Sequence, residues 1–152
     1  MSAGSTRTPD SASKVVPAAT DTAEAIVFFD GVCNLCNGAV QFILKREKNP
    51  QLKFAALQSD TFRARAQHLL AAIPDSIIFL EAGILYTESD AVLRISRHLR
   101  QPWRALGLLG YLFPRCVRNP LYRFIARNRY RWFGKKEACY VPTPALRARF
   151  LE

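Results

Sequence analysis

Residues Phe28 to Asn37 read FFDGVCNLCN, and the reading of this stretch decides the fold. The apolar run Ala25 to Phe29 ends in Asp30-Gly31. Two residues later come Cys33-Asn34-Leu35-Cys36, and from there apolar residues recur at helical spacing. Two cysteines three apart, where a buried strand gives way to a helix, form the pattern of a C-x-x-C redox centre. The reason is local. Free N–H groups and the dipole at a helix N-terminus favour a thiolate, which lowers the first cysteine's pKa and makes it the attacking sulfur. The second cysteine, one turn on, lies on the same side of the helix and can close a disulfide. In this reading Cys33 is the nucleophile and Cys36 the resolving thiol. Asn34 and Leu35, between them, are expected to contact substrate.

Working outward, Ile26 to Phe29 reads as a strand buried on both faces and central in a sheet. A helix is predicted over Asn34 to Lys48, with Leu35, Ala39, Phe42, Ile43 and Arg46 on one face and Asn49-Pro50 ending it. Leu52 to Leu57 is a second strand. Ser59 caps a second helix, with Phe62, Ala66, Leu69, Leu70 and Ile73 on its face, which Pro74 stops. Ser76 to Glu81 and Ile84 to Thr87 form a hairpin around Ala82-Gly83. A helix capped by Ser89 or Asp90 follows, carrying Val92, Leu93, Ile95, Ser96 and Leu99. The order β-α-β-α-β-β-α implies a parallel pair with a right-handed crossover and a hairpin at the far edge, hence a four-stranded mixed sheet. This is an α/β, thioredoxin/glutaredoxin-like plan, which places its active site at the end of the first strand.

Beyond Gln101-Pro102 the pattern changes. Trp103 to Phe113 is helix-like despite Gly107 and Gly110. Asn119-Pro120 reads as an N-cap and first helical residue. The helix after it places Leu121, Phe124, Ile125, Asn128 and Trp132 on one face, with Arg123, Arg127 and Arg131 as a basic stripe on another. Pro142 and Pro144 stiffen a connector to a short helix from Ala145 to Leu151. The expected organisation is a disordered tail over 1–24, a core over 25–100 and a basic helical C-terminal extension over 101–152 packed on it.

The chain has 152 residues and a net charge of +10, and 49% of it is hydrophobic, enough for one domain with a sizeable core. Fourteen of its 22 Lys and Arg lie between Arg94 and Arg149, against one acid, Glu137, so the basic character belongs to the last third. Four cysteines are too few for a disulfide-stapled scaffold. The first 24 residues have no apolar core of a secretory signal, and Asp10, Asp21 and Glu24 speak against a transit peptide. With no stretch approaching the length of a membrane span, the expectation is a cytoplasmic protein, where a C-x-x-C is redox-active or metal-binding.

The signature Asp30, Cys33 and Cys36 in FDGVCNLCN resembles that of the Asp-Cys-Cys (DCC) family of predicted thiol-disulfide oxidoreductases. The resemblance continues through FAALQS (Phe54 to Ser59), PDSIIFL (Pro74 to Leu80), SDAVLRI (Ser89 to Ile95) and RNRYRWFG (Arg127 to Gly134). It ends with the C-x-x-P of Cys139 to Pro142. It spans Ala25 to Leu151 with no departure at the three signature positions. It implies a thioredoxin-like fold and dithiol–disulfide chemistry, and says little about substrate.

Each further candidate has two readings. Asp30 either accepts the Cys36 proton during resolution or serves as a turn residue bonding the backbone of Gly31 to Cys33. Pro74 either is a cis-proline facing the active site, leaving nearby backbone free for an extended substrate, or simply stops a helix. Ser89 and Asp90 either mark a helix start that receives a glutathione carboxylate, as in glutaredoxins, or are plain caps. Cys139 is an additional redox thiol or a ligand. His68 and His98 are scattered, so no metal site is expected, and Cys116 is read as structural. The basic stripe, with Tyr122, Tyr130 and Trp132 interleaved, comes without a nucleic-acid motif. It reads as a solvated face or as a dock for an acidic protein or an anionic lipid surface.

The function expected is therefore thiol–disulfide exchange on protein or small-molecule disulfides and thiols. No bound cofactor is expected, and an external thiol reductant or oxidant such as glutathione closes the cycle. The rival readings are a thioredoxin-like adaptor docking through the C-terminal helices and a cysteine-based metal carrier.

Overall fold

A computed structural model describes residues 24–70, 76–135 and 142–151. Strand β1 (Ala25–Phe29) is buried at every position, as its unbroken apolar run requires. It runs into helix α1 (Asn34–Arg46), which crosses over to β2 (Lys53–Ala56), parallel to β1. Ser59 Oγ accepts the Phe62 N–H and caps α2 (Asp60–Arg65). Strands β3 (Ile78–Glu81) and β4 (Ile84–Thr87) form the hairpin, and β3 lies antiparallel to β1. Ala82 and Gly83 both have positive φ, the requirement of a tight two-residue turn. Helices α3 (Glu88–Ser96), α4 (Trp103–Gly110) and α5 (Arg115–Phe133) follow.

Alternation along β1 divides the core. Val27 and Phe29 face α1 and α3, meeting Val40, Ile43, Phe54, Phe79 and Ile95. Ile26 and Phe28 face α2, meeting Phe62 and Ala66. The sheet positions the C-x-x-C at the carboxyl end of its central strand, and the α/β architecture expected from the sequence holds.

Several sequence-based expectations are corrected. The sheet has five strands, in the order β4-β3-β1-β2-β5. The added edge strand, β5 (Phe150–Leu151), lies parallel to β2 at the end of the stretch where a short helix was expected, which forms only a 3-10 turn, Arg147–Arg149. Side-chain anchoring decides it: the Phe150 ring stacks on Phe54 at 5.5 Å, and Arg149 donates to the Leu52 carbonyl at 2.8 Å and pairs with buried Glu47. Glu47 lies outside α1, and its carboxylate accepts the N–H groups of Gln51 and Leu52. The second helix is shorter than expected. Ala66 leaves helical geometry and is followed by a single 3-10 turn, Gln67–Leu69.

Asn119-Pro120 does not start a helix; both residues lie inside α5, which begins after Pro114. The additional turn gives Arg115, Arg118 and Asn119 the geometry to reach α3, offsetting the hydrogen bond that Pro120 cannot donate. Ser89 and Asp90 do not cap α3. Its cap position is Thr87, while the Ser89 hydroxyl bonds Asn119 Oδ1 and Asp90 pairs with Arg115 at 3.1 Å and Arg118 at 3.2 Å. The apolar face of α5 points outward, with Leu121, Phe124 and Trp132 all more than half exposed. Its inner face is polar, carrying Arg118, Tyr122 and Arg129. Residues 1–23, and with them nearly all of the expected tail, lie outside the described residues, as do Pro74 and Cys139. Glu24 is described, and it pairs with Lys53 at 2.7 Å and with Arg65.

Candidate active site

The site is built at the β1–α1 junction. The Asp30 carbonyl accepts the Cys33 N–H at 3.2 Å, and its Oδ1 accepts the Val32 N–H at 3.1 Å, closing the turn that follows β1. Cys33 is the N-cap of α1, and its Sγ accepts the Cys36 N–H at 3.3 Å. Sulfur therefore occupies the place where a serine or aspartate oxygen usually satisfies a free helix N–H. Asn37, almost fully buried, donates to the Gly31 carbonyl at 3.0 Å and ties the first turn of α1 back to the loop.

Both cysteines are free thiols. Cys33, the sulfur expected to attack, is fully buried, whereas Cys36 is half-buried. The cover over Cys33 is the end of α5. Asn34 N–H meets the Gly134 carbonyl at 3.4 Å, Asn34 Nδ2 donates to the Phe133 carbonyl at 2.7 Å, and Lys135 forms an antiparallel bridge with Cys33. Gly134 has φ of 75°, a left-handed conformation that a side chain resists, so glycine is what lets the chain turn from α5 onto the cysteines. Burial pushes the Cys36 thiol up to about 12, helped by its hydrogen bond to Cys33 and by the Cys33 charge.

Under the cysteines lies a network the sequence did not disclose. Asp30 Oδ2 receives Arg129 Nη2 at 3.2 Å and the Tyr130 hydroxyl, and Oδ1 also receives Gln58 Nε2 at 3.2 Å. Burial pushes the Asp30 carboxyl up, but the bonds from Tyr130, Val32 and Gln58 and the Arg129 charge outweigh it and hold it below the ordinary value. The Arg129 charge also acts on Cys36, favouring its thiolate. Tyr130 lies under two cations, with Arg129 at 4.6 Å and Lys135 Nζ at 4.3 Å from its ring centre. Nearby, Tyr122 accepts the Ile77 N–H at 3.0 Å, occupying backbone just ahead of β3, and burial pushes its phenol up to about 12.

Of the site residues read from sequence, Asp30, Cys33, Asn34 and Cys36 come together, with Leu35 half-buried beside them. Asn34 is committed to the end of α5. Ser89 and Asp90 do not join them; they fasten α5 to α3 instead. Pro74 and Cys139 fall outside the described residues. Among the described residues no group of three His, Cys, Asp or Glu side chains converges as a metal site would require. Arg129, Tyr130, Tyr122 and Gln58 were not read as site residues, although FAALQS and RNRYRWFG contain three of them and Tyr122 and Tyr130 were noted only beside the basic stripe. Their signal was present: Arg118, Tyr122 and Arg129 recur at helical spacing, but an inward face made of polar residues is not what apolar periodicity detects.

A family model for the DCC1-like thiol-disulfide oxidoreductases matches residues 27–135, from β1 through the cover at Lys135. The chain belongs to that family. Its relatives include the uncharacterized protein YuxK of Bacillus subtilis, 49% identical over 132 residues, covering 83% of this chain and 93% of that one. A chloroplastic DCC family protein of Arabidopsis thaliana is 37% identical over 116 residues, covering 75% of this chain and 67% of that protein. No solved structure matches the chain significantly. The matched region of this DCC1-like protein contains both cysteines and, 99 residues apart in sequence, both members of the Asp30–Arg129 pair.

Proposed function

We propose that the protein performs thiol–disulfide exchange with Cys33 as nucleophile and Cys36 as resolving thiol. The observation that carries this reading is the Cys36 N–H donated to Cys33 Sγ at the start of α1, beside a Cys36 thiol that keeps its proton up to about 12. The first sulfur accepts a helix N–H and the second holds its proton, the division of labour that exchange requires.

In the reducing direction, the Cys33 thiolate attacks a disulfide R–S–S–R′. A Cys33–S–R bond forms and R′S⁻ leaves. Cys36 then gives up its proton to the surrounding water, its sulfur attacks Cys33 Sγ, and RS⁻ departs. The product is a Cys33–Cys36 disulfide, and the substrate has gained two electrons. An external dithiol or glutathione returns the pair to the reduced state, and the oxidising direction runs these steps backwards. Because Cys33 is buried, attack requires the Gly134–Lys135 backbone to withdraw from it.

Asp30, held below its ordinary pKa by its donors, is a weak proton acceptor. The geometry favours it as a positioning residue that closes the turn and holds Arg129, whose charge eases Cys36 ionisation in the second step. The Asp30 charge itself opposes Cys36 ionisation, so Asp30→Asn acts in two senses: slower resolution of a Cys33 mixed disulfide marks the displacement of Arg129 as the larger effect, and resolution as fast as wild type or faster removes the proton-transfer and the positioning roles.

The deciding experiment is a redox titration in glutathione buffers with acid quenching, alkylation and peptide mass mapping. A reversible Cys33–Cys36 disulfide with a midpoint roughly between −120 and −270 mV is expected. A pair that stays reduced throughout, or that reacts only irreversibly, overturns the reading.

A further inference from the structure

Helix α5 is inverted relative to an ordinary surface helix. Its polar side, with Arg118, Tyr122 and Arg129, packs inward, so its apolar stripe is left facing outward. Val117, Leu121, Phe124 and Trp132, at helical spacing, are each between 52% and 59% exposed, and the turn before the helix adds Leu112 at 77% and Phe113 at 59%. No described residue covers them. From Val117 to Trp132 the stripe runs for about 22 Å along the helix. Exposed Arg127 and Arg131 border it on the side away from the core. Exposed apolar surface of this extent marks an interaction site.

We propose that this face docks onto an anionic lipid bilayer, with α5 lying in the plane of the interface. Three observations choose this occupant. An apolar stripe containing Phe, Leu and Trp beside arginines is the composition of an interfacial helix, which buries its apolar side at the headgroup–acyl boundary and pairs its cations with anionic headgroups. The net charge of +10 and the concentration of Lys and Arg in the last third add long-range attraction to such a surface. A ridge of side chains more than half exposed also suits a deformable bilayer better than a protein partner, which would need a matching groove. The helix docks and does not span: no helix among the described residues is long and apolar enough to cross a membrane.

The test uses the full chain with phosphatidylcholine vesicles, with and without phosphatidylglycerol, at low and high salt. The chain has two tryptophans, so Trp103→Phe leaves Trp132, on the docking face, as the sole fluorescent reporter. Expected are co-sedimentation with anionic vesicles alone, weakening with salt, and a blue shift of Trp132 emission on binding. Arg127→Gln/Arg131→Gln should weaken binding by about tenfold or more. Leu121→Ser/Phe124→Ser should abolish the blue shift, and both variants should keep the wild-type circular dichroism spectrum because the altered side chains are exposed. Equal binding to neutral and anionic vesicles, or no binding to either, overturns the proposal. So does a Trp132 emission already blue-shifted without lipid and unchanged by it, which would place a second copy or a segment of the chain on this face.

Discussion

The Arg129 guanidinium reaches the Asp30 carboxylate at 3.2 Å, a contact that joins the last turns of α5 to the loop before the C-x-x-C. Both side chains are nearly inaccessible to water, 4% and 9% exposed, and the charges are further satisfied by Tyr130, Val32 and Gln58. A buried pair of this kind is defined by what happens when one half is lost.

Removing the cation alone strands a carboxylate in the interior. Arg129→Met is expected to destabilise the fold by about 3–5 kcal/mol in urea denaturation. Asp30→Leu/Arg129→Met should cost clearly less than the sum of the two single changes, because no uncompensated charge remains. Additive costs would show that the pair does not couple.

Acid should act through the same carboxylate. Its donors lower the Asp30 pKa in the folded chain, so as pH falls the unfolded chain takes up this proton first, at about 3.9. The stabilisation is complete above that value and is lost as pH drops through the lower, folded value. Wild-type stability should therefore decline more steeply below about pH 4 than that of Asp30→Asn, measured by urea denaturation at a series of pH values.

Alkali acts in the opposite sense on two part-buried groups. Cys36 and Tyr122 both titrate near 12 when folded, above their unfolded values of about 8.5 and about 10. Each contributes stability that is intact below its unfolded pKa and lost as pH rises toward the folded one. The reduced protein should thus begin to weaken above about pH 8.5. Cys36→Ser should delay the onset to about pH 10, where the Tyr122 contribution starts to fall.

The cover over Cys33 hangs partly on one side chain. Asn34→Ala removes the 2.7 Å bond to the Phe133 carbonyl. A hydrogen bond worth about 1 kcal/mol corresponds to roughly a fivefold change in the opening equilibrium. Alkylation of Cys33 by iodoacetamide should accelerate by about that factor while Cys36, already part-exposed, keeps its rate. Unchanged Cys33 alkylation would mean that access does not run through this contact.

Tyr122 offers a separate check on the loop before β3. Tyr122→Phe keeps the ring but leaves the Ile77 N–H without its acceptor, at a cost of about 1–3 kcal/mol in the same denaturation assay.

These contacts divide what could be read in advance from what could not. The sequence by itself determined the α/β core and the position of the cysteines, because those signals are short-range. A five-residue apolar run makes a central strand, Asp-Gly makes a turn, and a cysteine at a helix start can cap it with its own sulfur. Ser59 as a cap and Ala82-Gly83 as a tight turn follow from the same local chemistry.

The tertiary structure alone decided which residues surround the cysteines and how the last third of the chain is used. Arg129 finds Asp30 and Arg149 finds Glu47 across about a hundred residues of sequence, and Phe150 completes the sheet by stacking on Phe54. The inward face of α5 is held by ion pairs and hydrogen bonds to α3 and the active-site turn, leaving its apolar stripe outside. Hydrophobic periodicity assumes that apolar residues choose the buried face. Here specific polar partners chose it instead, and their pairing exists only once the chain has folded.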